Sequence, residues 1–193
     1  MGDERAQSSE GMGSKFTKAM ILSQDSMTVT EGDKSRRRPR VLAIASGGGH
    51  WAELARLLPA FSNSRVTFAS THKGYAADVE GHPYRVIPDA SRDRKLGVAW
   101  CMLRIAFLLL WVRPSVVITT GAAPGYLAAR MAKLLGAKVC WLDSIANVEE
   151  LSMSGQMIGR HADLWLTQWQ HLSSSDSEAS STGRVPDYRG GVL

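Results

Sequence analysis

Residues 41–50 read VLAIASGGGH, and this stretch decides the fold class. Val41–Ala45 is an apolar run of strand composition. It ends in Ser46-Gly47-Gly48-Gly49, and His50 follows at what reads as a helix start. Consecutive glycines let a backbone turn tightly and approach a ligand with no Cβ in the way. The first turn of a helix then offers unpaired N–H groups and the positive end of a dipole, which together suit a phosphate or diphosphate. Histidine exchanges a proton near neutral pH, so His50 is the candidate base beside such an anion. The stretch predicts the first strand–turn–helix of an α/β sheet that handles a phosphorylated ligand at its edge.

Outward from this turn, strand-like and helix-like segments alternate, the pattern of a parallel sheet covered by helices. Strands are expected at Val41–Ala45, Val66–Ala69, Tyr84–Ile87, Val116–Thr119, Val139–Leu142 and, last, Leu164–Thr167. Helices are expected at His50–Phe61, Leu96–Val112, Gly125–Leu135 and Ser152–His161, with a loop and short helix over Thr71–Glu80. In the first helix Leu54, Leu57, Leu58 and Phe61 recur at i, i+3, i+4 and i+7, a core-facing stripe. The 193 residues suit one ordinary domain plus a tail. The expected division is a disordered leader over 1–38, polar and without periodicity, and a single Rossmann-like parallel-sheet domain over 39–193. No signal peptide is expected, because the one apolar cluster of the leader, Ala19–Leu22, is too short. Its closing run, Arg36-Arg37-Arg38-Pro39-Arg40, reads either as a solvated linker or as a contact with anionic lipid headgroups. Ser173–Gly183 reads as a Ser-rich loop.

A net charge of +5 gives mild attraction to anionic partners, and no basic block is interleaved with aromatics as a single-strand nucleic-acid binder requires. Cys101 and Cys140 each sit inside an apolar run and read as reduced core residues. The chain carries no Cys/His cluster at metal-ligand spacing, so no metal is expected.

Leu96–Val112 is unusually apolar yet interrupted by Arg104 and bounded by Arg92, Arg94, Lys95 and Arg113. A spanning helix needs about 20 apolar residues, and a central Arg costs about 2.5–3.5 kcal/mol on insertion. Two readings remain: a crossover helix wholly buried in protein, or one that packs on the sheet and dips its outer face into a bilayer surface through Trp100, Phe107, Leu110 and Trp111.

Gly47-x-Gly49-x-x-Ala52 formally satisfies a relaxed dinucleotide fingerprint, but Ala69–Lys73, where the ribose-binding acid should stand, holds none. A dehydrogenase is therefore disfavoured, and no cofactor is expected. A second glycine turn, Thr119-Thr120-Gly121-Ala122-Ala123-Pro124-Gly125-Tyr126, follows the fourth strand. It reads as a second ligand turn or as close strand–helix packing. Asp143-Ser144-Ile145-Ala146-Asn147 closes the fifth strand, and Asp143 is open between orienting His50, meeting a sugar hydroxyl and capping the next helix. Asp163 reads as a surface turn residue.

Four segments in order, SGGGH (46–50), RPSVVITTGAAPGY (113–126), AKLLGAKVCWLDSIAN (132–147) and GRHADLWLTQW (159–169), resemble the amino-terminal half of a GT-B glycosyltransferase. The similarity is to the asparagine-linked glycosylation 14 family and its bacterial exopolysaccharide relatives, and more distantly to the peptidoglycan transferase MurG. It covers about residues 39–172, with SGGGHxxEL and Asp143–Trp169 its specific pieces. The resemblance implies the membrane-recruiting, acceptor-side subunit of a split enzyme, in which a separate protein binds most of the UDP-sugar donor. It implies inverting transfer to a polyprenyl-diphosphate-linked saccharide. His50 would be the base or would position the hydroxyl; Ser46, Gly47, Gly48, Gly49, Glu53, Thr120, Gly121, Asp143 and Ser144 would bind diphosphate or substrate. Eukaryotic members carry an amino-terminal membrane helix that residues 1–40 lack, which suits peripheral attachment to the cytoplasmic membrane face. Rival expectations are a self-sufficient small nucleotide-sugar enzyme and a non-catalytic scaffold.

Overall fold

The structure is a computed structural model that describes residues 38–90, 95–173 and 184–192. Residues 1–37 of the expected leader, Arg92, Arg94 and nearly all of the Ser-rich loop lie outside them. The described strands are β1 (Arg40–Ile44), β2 (Arg65–Ser70), β3 (Tyr84–Val86), β4 (Val116–Thr119), β5 (Lys138–Leu142), β6 (Leu164–Thr167) and β7 (Asp187–Tyr188). The helices are α1 (Gly49–Arg56), α2 (Lys95–Val112), α3 (Ala122–Leu134) and α4 (Met153–Ile158), with 3-10 turns at Leu58–Phe61, Lys73–Val79 and Gln170–Ser173.

The described strands form one sheet in the order β3-β2-β1-β4-β5-β6-β7, every neighbouring pair parallel. Its inner strands are near-continuous apolar runs because successive side chains enter opposite cores. Leu42, Ile44, Val117, Val139, Trp141 and Trp165 face the side that α2, α3 and α4 cover. Val41, Ala43, Val116, Ile118, Cys140 and Leu142 face the side covered by α1, where Trp51, Leu54, Leu57 and Phe61 pack. The Rossmann-like parallel-sheet domain expected from the sequence is thus the observed fold.

Four differences from expectation exceed a single residue. The first helix ends at Arg56 and continues as a separate 3-10 turn, because Pro59 has no N–H to donate and its ring crowds the carbonyl four residues earlier. α3 starts at Ala122, three residues early, with Pro124 in its first turn, where the missing N–H has no intrahelical acceptor to lose. The last helix is shorter, Met153–Ile158, capped by Ser152 accepting from the Gly155 amide at 2.9 Å. Leu164–Thr167 is not the last strand, since Asp187–Tyr188 adds β7 to the sheet beside it. Two residues of polar and aromatic type carry no period for a sequence to reveal.

Candidate functional site

The chain leaves β1 toward β2 and leaves β4 toward β5, on opposite sides of one central strand pair. At such a switch point the turns after the two carboxyl ends diverge and open a crevice where α/β proteins bind ligands. Both glycine turns found in the sequence lie here. Gly48, the N-cap of α1, has φ +65°, and Gly121, the N-cap of α3, has φ +121°, backbone states that side chains strongly disfavour.

His50 joins the two turns. Its Nδ1 lies 2.8 Å from the Thr120 carbonyl oxygen, and the Thr120 hydroxyl donates to the His50 carbonyl at 2.6 Å. A carbonyl only accepts, so Nδ1 carries the proton, and among the described residues Nε2 has no hydrogen-bond partner. A Cβ at Gly121 would stand 3.0 Å from His50 Cε1, so the ring rests directly on the second turn. The opening amides of α1 have no intrahelical acceptor, and Gly48 and Gly49 are exposed. Ser46 is tied to β2 through its carbonyl, which accepts from the Ser70 hydroxyl at 2.7 Å. Gly125 serves packing: a Cβ there would lie 2.1 Å from Thr119 Oγ1, so of the two readings of the second turn the structure displays the tight strand–helix junction.

Glu53 and Asp143 are held differently from Ser46–His50. Both are buried. Glu53 Oε1 accepts from the Ser144 hydroxyl at 2.7 Å and the Ile145 amide at 3.1 Å, and Oε2 accepts from Gln168 Nε2 at 3.3 Å. Asp143 Oδ1 accepts from the Ser144 amide and Asn147 Nδ2, while Oδ2 accepts from the Ser152 amide and hydroxyl. Burial raises the Asp143 carboxyl above its ordinary value, and these donors pull it back. Of the roles open to Asp143, the structure displays bracing of the capping residue Ser152; the partner that orients His50 is the Thr120 carbonyl. Glu53, Asp143 and Ser144 therefore form a strut that shapes the crevice from behind. Asp163 is more than a turn residue, accepting from the Val139 amide at 2.7 Å and pairing with Lys133 at 3.0 Å.

Gln168 escaped the sequence reading. It donates to Glu53 and to the Asp143 carbonyl, and its Oε1 accepts from the Val192 amide. A polar residue ending an apolar strand at the ligand edge was the available signal. Burial pushes the Cys101 thiol up to about 11 and that of Cys140 up to about 12, so neither is a ready nucleophile.

α2 has two unlike faces. Cys101, Ile105, Leu108 and Leu109 are buried, whereas Trp100 (55% exposed), Phe107 (66%), Leu110 (60%) and Trp111 (55%) are open, with Leu96 and Leu103 extending the same stripe. The Arg85 guanidinium lies 4.6 Å from the Trp111 ring centroid. Of the two readings of this helix, complete burial within the chain is not what the structure has. No helix among the described residues is long and apolar enough to cross a membrane.

Strand order and parallel pairing define a class, the Rossmann-like α/β domain. Solved structures share the fold: MurG of Acinetobacter baumannii (TM-score 0.54, 12% identity, 67% of this chain and 41% of that one) and UDP-N-acetylglucosamine 2-epimerase of Rickettsia bellii (0.56, 14%, 70% and 40%). This chain spans about two fifths of the length of either. Within the class, the family model "Oligosaccharide biosynthesis protein Alg14 like" matches residues 93–185. The proteins described as UDP-N-acetylglucosamine transferase subunit ALG14 are 23% identical in Mus musculus, over 78% of this chain and 84% of that protein, and 27% identical in Homo sapiens, over 75% and 82%. The chain is thus similar to the Alg14 family over residues 93–185, in line with the resemblance its motifs carry.

Proposed function

We propose that this chain is the acceptor-side subunit of a two-component glycosyltransferase of oligosaccharide or polysaccharide biosynthesis, attached peripherally to the cytoplasmic face of a membrane. Its substrate would be a polyprenyl-diphosphate-linked saccharide. A separate subunit would bind most of the UDP-sugar and close the cleft over the edge where the two glycine turns meet. The observation that carries the reading is the His50–Thr120 junction, where a histidine whose Nε2 has no partner among the described residues joins the exposed first turn to the buried second turn at the switch point.

The chemistry follows from that placement. The acceptor hydroxyl would lie at Nε2, which takes its proton as the oxygen attacks the anomeric carbon of the sugar. The bond from that carbon to the UDP oxygen breaks on the opposite face, inverting the centre, and the negative charge departs with UDP. The opening amides of α1, with the positive end of its dipole, would hold a diphosphate. The exposed stripe of α2 would rest on the bilayer, bringing the lipid-linked acceptor to the sheet edge. The name of the similar mouse and human proteins, each a transferase subunit, supports a divided enzyme.

The test is reconstitution. The purified chain with a UDP-sugar and a polyprenyl-diphosphate acceptor should turn over nothing, and transfer should begin when the donor-binding subunit copurified from its own cell is added. Steady turnover by the chain alone would favour a self-sufficient enzyme. Full complex activity with His50→Ala would favour a scaffold.

A further inference from the structure

Beside the first glycine turn runs the 3-10 segment Lys73–Val79, which no motif marked as functional. Tyr75 projects from it onto the turn, and its hydroxyl oxygen accepts from the Gly48 amide at 2.9 Å. That amide belongs to the N-cap of α1, among the groups a helix cannot satisfy internally. The phenol is held firmly there. Its ring stacks on the Trp51 indole at 5.1 Å with planes 9° apart, and Trp51 is buried within α1 itself. Trp51 Nε1 in turn donates to Asp78 Oδ2 at 2.7 Å, and the Tyr84 ring meets the same indole edge-on at 5.6 Å. The 73–79 segment is thus clamped to α1 at two points, Tyr75 and Asp78. A Cβ at Gly47 would come within 3.4 Å of the Tyr75 oxygen, so the turn is moulded against it.

A phenol that accepts one hydrogen bond still has a proton to give. Among the described residues no acceptor takes it, and its oxygen stands at the exposed lip of the turn. We propose that Tyr75 is a further binding residue of the site, its hydroxyl accepting from the Gly48 amide and donating to an oxygen of the bound diphosphate. The proposal rests on the reading of the glycine turn as a diphosphate seat. Tyr75 extends the donor set of α1 outward by one group. Polarised by the amide behind it, the O–H would be a stronger donor than a free phenol. Because the ring is fixed by Trp51, the hydroxyl is already in place before the ligand arrives, which lowers the ordering cost of binding.

Tyr75→Phe removes the hydroxyl and keeps the stacked ring. Farnesyl diphosphate serves as a soluble probe, its binding to the full chain followed by calorimetry. A lost hydrogen bond to a charged group is worth about tenfold or more in affinity, so Tyr75→Phe should raise the Kd about tenfold while near-ultraviolet circular dichroism stays native. Gly49→Val separates this proposal from the reading beneath it: a Cβ at Gly49 meets open space, so the variant folds but blocks approach to the α1 amides. Wild-type affinity in Tyr75→Phe with weakened binding in Gly49→Val overturns the role of Tyr75 alone. Unchanged binding in both, or no binding by the wild-type chain, overturns the diphosphate seat and the role of Tyr75 with it.

Discussion

At the scale of single residues, the decisive arrangement is that of His50. A histidine serves as a base only when one ring nitrogen is fixed and the other is free. Here the Thr120 carbonyl fixes Nδ1, and Gly121 supplies the flat surface against which the ring lies. General-base help is typically worth about 10²–10⁴ in rate. His50→Ala should lower kcat of the reconstituted complex by about that factor, with the folding of the chain and its binding to the partner subunit intact. Near-full turnover at saturating acceptor would remove His50 from the proton transfer. The position of His50 behind three glycines was legible in the sequence. Its partner was not, because Thr120 lies 70 positions away and meets it only when β4 pairs with β1.

At the scale of elements, α2 is the outlier. A helix that packs on a sheet needs one apolar face, and this one is apolar on nearly every side, Arg104 being the one charge within its interior. Its inner face is accounted for by Cys101, Ile105, Leu108 and Leu109 in the core. The outer stripe from Leu96 to Trp111 remains open and has aromatic rings toward both ends. Burying a side chain such as Phe107 or Leu110 is worth about 1.5–3 kcal/mol, so together they can anchor the chain at a bilayer surface. Sedimentation with anionic liposomes measures this directly. Changing Phe107 and Leu110 to Glu should lower the partition coefficient at least tenfold with circular dichroism unchanged; unaltered sedimentation would rule out the helix as the anchor. The sequence exposed the excess of apolar residues, while the division into inner and outer faces came from packing against α3 and the sheet.

At the scale of the whole molecule, a chain of buried polar groups ties distant segments together. Glu53 of α1 holds the turn after β5 through Ser144 and Ile145, and Gln168 after β6 links Glu53 to the Val192 amide. Arg56 completes the tie by donating to the Val192 carbonyl at 3.1 Å. These contacts lie behind the crevice, so they set the distance between α1 and the β5 turn. Glu53 presents only acceptors to three donors, whereas glutamine would turn an NH2 group against at least one of them. Glu53→Gln should cost about 1–3 kcal/mol, a fall in Tm of roughly 2–12 °C for a domain of this size. An unchanged melting curve would show that the strut contributes nothing to stability.

The sequence by itself determined the elements and the local chemistry: the strand–glycine–helix turn at 46–50, its counterpart at 119–126, the alternation that calls for a parallel sheet, and the surplus apolar helix. Those signals are local, because chain geometry sets the periods of strands and helices and the backbone demands of a glycine turn. Tertiary structure decided which turns face one another, that Glu53 and Asp143 point inward as braces, and that Tyr75 reaches the Gly48 amide from 27 positions away. It also decided that a two-residue strand closes the β6 edge. Such contacts depend on the order in which strands pair, and pairing order is fixed by the burial of the whole sheet, which no single stretch of residues encodes.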